Sequence, residues 1–287
     1  MLNLQIPSAT TVSALRARVR SWRDEGLSVG FVPTMGALHA GHLALVQLAK
    51  AQCDRVVASI YVNPAQFAPG EDFDAYPRTV IEDSQHLADA HCDLVYLPTN
   101  DVIYPEGFAT SISVAGPAEG LESAARPHFF NGVATVVAKL LNQVRPDIAV
   151  FGEKDYQQLL VIRQLVRDLD LGVDIISGET VREPDGLALS SRNAYLSAGD
   201  RQRAGQLNRI LRQFAADLAA GQSIAQARRT ALAACEAGFD AVDYVEVRCA
   251  DTLAPLGDGA LASPARILAA VRLGSTRLID NCAALPS

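Results

Sequence analysis

The segment FVPTMGALHAGH, residues 31–42, places two of the chain's five histidines, His39 and His42, three residues apart around a glycine, directly after an apolar run. A strand ending at Val32, a turn over 33–37 and a helix starting near Gly41 would leave free backbone N–H groups at a helix N-terminus, which attract an anion. Gly41 lacks a Cβ, so a phosphate could approach the backbone there, and two imidazoles could donate to its oxygens as charge builds in a transition state. A second segment, FGEKDYQQLLVIRQL (151–165), has matching character: Gly152 opens a turn after an apolar strand, and Lys154 with Asp155 begins a helix. Of 25 basic residues only Lys50, Lys139 and Lys154 are lysines, and that scarcity singles out Lys154 as a charge for phosphate. A third, VREPDGLALSSRN (181–193), offers the hydroxyls of Ser190 and Ser191 and the guanidinium fork of Arg192, all suited to phosphate oxygens. In a fourth, YVNPAQF (61–67), the carboxamides Asn63 and Gln66 could orient a hydroxyl or carboxylate of a second substrate. Each segment also has a plainer reading as a loop, a cap or a solvated helix start.

The elements that must carry these residues are visible as pattern. Short β-branched runs at 28–32, 55–62, 93–97, 110–114, 147–151 and 173–177 read as strands. Helix-period segments lie at 43–51, 79–90, 132–144 and 156–168. Near-continuous apolar strands separated by amphipathic helices predict a Rossmann-like, doubly wound parallel sheet, whose ligands sit at the carboxyl ends of the strands. Lys154 and Asp155 then share one rim with the two histidines. Beyond Pro184 and Gly186 the composition shifts: 197–220 and 223–237 read as Ala/Leu/Arg helices, the first capped by Ser197. Residues 242–248, 266–273 and 276–280 alternate with period two, with Gly274 and Ser275 as a tight turn. These predict an α/β catalytic domain over 1–182 and a smaller α+β domain with an antiparallel sheet over 183–287.

Composition narrows the classes. The chain has 287 residues, 49% hydrophobic and 20% charged, which are globular proportions. No apolar run reaches the twenty or so residues of a membrane span, and the first thirty residues show no signal-like apolar core. Five cysteines, widely spaced and never in a C-x-x-C pair, suggest neither a disulfide framework nor a zinc knuckle, and point to a reducing cytoplasm. A net charge of -7 argues against a general nucleic-acid binder. Neither a G-x-x-x-x-G-K-[ST] loop nor a G-x-G-x-x-G loop occurs.

Taken together and in order, PTMGALHAGH (33–42), NPAQF (63–67), YPRT (76–79), HFFNGVATVVAKL (128–140), FGEKDYQQL (151–159) and DGLALSSRNAYL (185–196) resemble the pantoate:β-alanine ligase family of the H-x-G-H nucleotidyltransferase superfamily. The resemblance implies ATP-dependent condensation of pantoate with β-alanine, giving pantothenate, AMP and diphosphate through an enzyme-bound pantoyl adenylate. It further implies that Met35, Gly36, Ala37, Leu38, His39, Ala40, Gly41 and His42 line the ATP site, with His42 as proton donor. Gly152, Glu153, Lys154 and Asp155 would border the nucleotide, Val181 and Leu189 would lie beside it, and Ser190, Ser191 and Arg192 would hold the β- and γ-phosphates. Gln66 and Gln158 would bind pantoate, Gln66 also lying near β-alanine, with Asn63 in the same substrate set. Mg²⁺ would accompany ATP, and Glu82 and Asp83 stand where some members place carboxylates near the metal, though they read equally as a solvated helix start. Leu189 departs from the family's usual methionine, a swap that conserves volume. A cytoplasmic homodimer, with no nucleic-acid or membrane partner, is implied as well. Two other readings compete with a ligase: a nucleotidylyltransferase that stops after nucleotide transfer, and a nucleotide-binding protein without turnover.

Overall fold

The computed structural model describes residues 4–68 and 70–286. In chain order the elements are β1 (Ser8–Ala9), α1 (Val12–Asp24), β2 (Val29–Thr34), α2 (Ala40–Lys50), β3 (Arg55–Ile60), α3 (Val80–Asp89), β4 (Leu94–Tyr96), α4 (Asn100–Ile103), α5 (Glu122–Ala125), α6 (Phe129–Val144), β5 (Ile148–Gly152), α7 (Tyr156–Asp168), β6 (Asp174–Gly178), α8 (Ala198–Ala204), α9 (Gln206–Ala219), α10 (Ile224–Gly238), β7 (Ala241–Cys249), β8 (Ala265–Leu273) and β9 (Thr276–Ala284). By contacts the chain divides into two units. The first runs up to Val114 and adds Arg126–Glu153 and Val161–Glu179; the second takes Ala115–Ala125, Lys154–Leu160 and the chain from Thr180 onward. Two short segments that precede residue 182 therefore pack with the second unit.

The first unit is built on a six-stranded, all-parallel sheet in the order β1-β4-β3-β2-β5-β6. Its central strands are apolar on both faces because helices cover both: Val29, Phe31, Val32, Val56, Val57 and Ala58 are fully buried. From β2 the chain winds outward through β3 to β4, then returns to place β5 on the other side of β2. The order therefore reverses between β2 and β5, which is where a doubly wound sheet opens its binding crevice. The ladder is short at that place. β2 pairs with β3 over six residues and β5 with β6 over five, but among the described residues β2 and β5 pair only at Gly30↔Ile148 and Phe31↔Ala149.

The second unit carries a three-stranded antiparallel sheet, β7-β8-β9, whose last pair is joined through Gly274 and Ser275, with Leu273 opposite Thr276. Helix α9 presents Leu207, Leu211, Phe214 and Leu218, one stripe at helical spacing, to a core shared with Ile267, Ala269 and Val271 of β8.

The fold is the α/β architecture expected, with local differences. Residues 110–114 form no strand: the alternation is present, but the Ile112 N–H is donated to the Thr135 hydroxyl (3.0 Å) rather than to a ladder. The helix expected over 197–220 is interrupted at Gly205, a weak helix former, giving α8 and α9. Helix α1 is an element the sequence reading left out; its arginines obscure a buried stripe of Leu15, Val19 and Trp22. No helix among the described residues is long and apolar enough to cross a membrane.

Candidate active site

At the carboxyl end of β2 the chain turns through Met35, Gly36, Ala37 and Leu38 into α2. Gly36 and Ala37 both have positive φ, 85° and 51°, so this turn needs support. Asp83 supplies it from the first turn of α3. Its carboxylate is 1% exposed and accepts the Ala37 N–H (3.0 Å), the Leu38 N–H (2.8 Å) and the Thr79 hydroxyl (3.2 Å). A side chain at Gly36 would meet the same carboxylate at 3.0 Å. Asp83, one of two carboxylates that the resemblance sets near a metal and that read equally as a solvated helix start, is buried and engaged by the loop with both oxygens, because three donors converge on it. Glu82 lies on the exposed side of the same helical turn, where a carboxylate favours the helix N-terminus.

The two histidines cap α2 reciprocally. His39 is the N-cap residue, and its Nδ1 accepts the Gly41 N–H at 3.2 Å. Its own N–H is donated to Nδ1 of His42 at 3.3 Å, and the rings lie 4.1 Å apart. This is a capping box in which imidazoles replace the usual Ser and Glu. Its chemical consequence is a fixed tautomer. With both Nδ1 atoms accepting, each neutral ring carries its proton on Nε2, as a donor at the positive end of the helix. Both rings, with Gly41, are half-buried, while Ala40 is exposed.

Beside this element, at the carboxyl end of β3, a short 3-10 turn Pro64–Gln66 holds the carboxamides. Asn63 is 1% exposed. Its Oδ1 accepts from Tyr104 Oη (2.8 Å) and the Ala65 N–H (3.3 Å), and its Nδ2 donates to the Gly132 carbonyl (3.2 Å) and Gln66 Oε1 (3.1 Å). The protein thus engages both ends of the Asn63 amide, one of them through Gln66. Gln66 is half-buried and turns its Nε2 toward the Met35 sulfur at 2.9 Å. Helix α6 packs tightly here: a Cβ at Gly132 would stand 2.2 Å from the Ala65 carbonyl oxygen. Arg126 donates to the Gln66 carbonyl (2.9 Å), grips both oxygens of Glu71 (2.6 Å each) and stacks 3.9 Å above Phe129. Gly152 and Glu153 end β5 on the far side of the crevice from β3.

The remaining predicted residues belong to the second unit. Lys154 and Asp155 precede α7 with their charges 3.8 Å apart, the lysine side chain 22% exposed. Gln158, on α7, is half-buried, whereas its neighbour Gln157 is 3% exposed and spent on the Glu122 N–H and the Pro117 carbonyl. Val181 and Leu189 face each other at the base of a small hairpin, the Leu189 N–H donated to the Val181 carbonyl at 3.0 Å. Ser190 then caps the 3-10 turn Ser191–Tyr195, its Oγ accepting the Arg192 N–H at 3.3 Å. Ser190, Ser191 and Arg192 are all half-buried.

Strand β9 ties these pieces together through two residues that sequence reasoning missed. Asp280 is 4% exposed and takes both Arg182 nitrogens, at 2.7 and 2.9 Å, so it holds the hairpin. Asn281 is 3% exposed, donates to the Lys154 carbonyl at 2.8 Å and accepts from Arg266 at 2.7 Å, so it holds the lysine turn. The available signal was an Asp-Asn pair inside the apolar run LIDNCAA, since buried polar groups must be paired.

This geometry offers anion donors at a helix N-terminus and neutral amides beside them, and comparison with known proteins agrees with a ligase. The profile of the family described as pantoate-beta-alanine ligase matches residues 8–283. The pantothenate synthetase of Maricaulis maris is 69% identical over 286 residues, covering 100% of this chain and 99% of that one. The crystal structure of pantothenate synthetase from Thermus thermophilus superposes with a TM-score of 0.89 at 47% identity, covering 96% of this chain and 99% of the other. That of the pantoate-beta-alanine ligase from Francisella tularensis, complexed with beta-gamma ATP and beta-alanine, superposes at 0.78 and 34% identity, covering 96% and 97%. The chain belongs to the pantoate-beta-alanine ligase family.

Proposed function

We propose that the chain condenses (R)-pantoate with β-alanine at the expense of ATP, in two steps. A pantoate carboxylate oxygen attacks the α-phosphorus of ATP, the bond to the β-phosphate oxygen breaks, and diphosphate leaves. The β-alanine amine then attacks the acyl carbon of the pantoyl adenylate; AMP departs and the amine loses a proton, giving pantothenate. The observation that carries this reading is the histidine capping box at the point where the sheet order reverses. It sets two imidazoles at a helix N-terminus beside that point, which supports the reading because phosphoryl transfer needs positioning and charge stabilisation rather than a covalent nucleophile.

In this reading Met35 to His42 form the phosphate floor, and His42 donates to the oxygen that gains charge. Lys154 neutralises phosphate charge, with Gly152, Glu153 and Asp155 bordering the nucleotide. Ser190, Ser191 and Arg192 hold the diphosphate as it leaves, and Val181 with Leu189 lies against the base. Gln66 and Gln158 bind pantoate. The Francisella complex with beta-gamma ATP and beta-alanine supports both ligand classes. Mg²⁺ neutralises triphosphate charge when bound. The protein offers it no preformed cage: among the described residues no three His, Cys, Asp or Glu side chains gather, and Asp83 is engaged by the loop. A Mg²⁺ accompanying ATP would take oxygen ligands and neutralise phosphate charge. The reading extends to a catalytic domain over 1–182 and to a cytoplasmic homodimer, which the family resemblance supports and a sedimentation measurement would check.

The test is product analysis. Protein incubated with ATP, pantoate and β-alanine should yield AMP and pantothenate in equal amounts, with neither formed when pantoate is omitted. ADP in place of AMP, or AMP without the amide, would refute the reaction.

A further inference from the structure

The amide network behind Gln66 settles which way Gln66 faces. The orientation of Asn63 is set by two groups that cannot exchange roles: the Ala65 N–H can only donate, and it meets Oδ1, while the Gly132 carbonyl can only accept, and it takes Nδ2. Tyr104 Oη, 2.8 Å from the same Oδ1, must then donate. Burial pushes the Tyr104 phenol up to about 12, so this proton stays in place at working pH. Because Nδ2 of Asn63 faces Gln66 at 3.1 Å, the Gln66 atom there has to be the oxygen. Its NH₂ group is left on the opposite side, where the Met35 sulfur is a weak acceptor. The turn cannot drift, since α6 touches it at Gly132 and Arg126 holds its carbonyl.

We propose that Tyr104 and Asn63 form a positioning relay that holds Gln66 with its NH₂ outward, so that Gln66 reads an oxygen acceptor, the carboxylate or hydroxyl of the acid substrate. Its oxygen accepts from Asn63 and is turned away from the NH₂ group, so the face it offers on the other side is a donor. This rests on the reading of Gln66 as a substrate-binding residue. It adds a direction to that contact and names two residues that act through it without touching substrate.

The test is a double-mutant cycle of Tyr104→Phe and Gln66→Ala, with Gln66→Glu alongside. Michaelis constants for pantoate, β-alanine and ATP are read for each variant together with its melting temperature. Tyr104→Phe should raise the pantoate constant by about three- to tenfold, the scale of one hydrogen bond, and leave that for ATP unchanged. In the Gln66→Ala background the same change should add nothing. Gln66→Glu, which turns an oxygen toward the acid, should weaken pantoate more than Gln66→Ala does. An equal rise for pantoate and ATP, or additive effects in the cycle, overturns the relay and leaves Gln66 in the site. A pantoate constant untouched by Gln66→Ala overturns the substrate reading beneath it and the relay with it.

Discussion

Asp83→Asn separates a brace from a metal ligand. The carboxylate receives two backbone N–H groups and the Thr79 hydroxyl in a pocket where it is 1% exposed. Asparagine matches the volume but keeps one acceptor oxygen, so either Ala37 or Leu38 would present its N–H to an NH₂ group. The change loses one hydrogen bond to a charged acceptor, worth about 1.5–3 kcal/mol, and strands a buried donor at a further 1–3 kcal/mol. Allowing for relaxation, the total is about 3 kcal/mol, which lowers Tm by roughly 5 °C or more in a chain of this size. Part of that loss should appear locally, because Gly36 and Ala37 hold positive φ only while the brace is in place. The Michaelis constant for ATP should therefore rise more than tenfold, while the Mg²⁺ concentration for half-maximal rate at saturating ATP stays within about twofold. Calorimetry and a Mg²⁺ titration of the steady-state rate read both. An unchanged Tm with a tenfold shift in Mg²⁺ requirement would make Asp83 a metal ligand and not a brace.

Other outcomes follow from the same geometry. Lys154→Ala should slow turnover by a factor equivalent to about 2–4 kcal/mol with Tm nearly unchanged, and undiminished turnover would remove Lys154 from the site. Asp280→Asn breaks a buried bidentate pair with Arg182 and should cost about 3 kcal/mol in urea unfolding; a loss below about 0.5 kcal/mol would show that the pair does not hold the hairpin. Gly132→Ala drives a methyl to 2.2 Å from the Ala65 oxygen, so α6 or the Gln66 turn must move, at about 1–3 kcal/mol and with weaker pantoate binding; unchanged stability and binding would contradict that packing. Hydrogen bonds from the Thr252 hydroxyl and nearby backbone hold the Cys249 thiol below its ordinary range, while burial pushes Cys92, Cys235 and Cys282 up to about 11. A lowered thiol pKa means more thiolate at pH 8, so brief alkylation of native protein should label Cys249 first, as peptide mass mapping would show. Earlier labelling of Cys92 would contradict it.

What was legible in the sequence was whatever local pattern decides. Strands β2, β3 and β5 announced themselves because both faces are buried and β-branched residues fill them. The ends of those strands then placed His39, Gln66 and Glu153 on one rim. Patterns that need a partner misled: 110–114 alternates like a strand, but the Thr135 hydroxyl takes the donor at Ile112. Residue type also says little about what a polar group is spent on. Asn63 and Gln66 read alike, and so do Gln157 and Gln158, yet one of each pair is consumed inside the protein. Asp83 looked like a surface carboxylate because the loop it braces lies more than forty positions away. The same distance in sequence hid Asp280 and Asn281, whose partners are Arg182 and Lys154.

In the proposed route the crevice beside β2 activates a carboxylate by adenylation before any amine arrives. Exchange of labelled diphosphate into ATP tests it directly. With pantoate present and β-alanine absent, the protein should catalyse exchange, and omission of pantoate should abolish it. Pantothenate formation without any diphosphate exchange in the absence of β-alanine would contradict a two-step adenylate route.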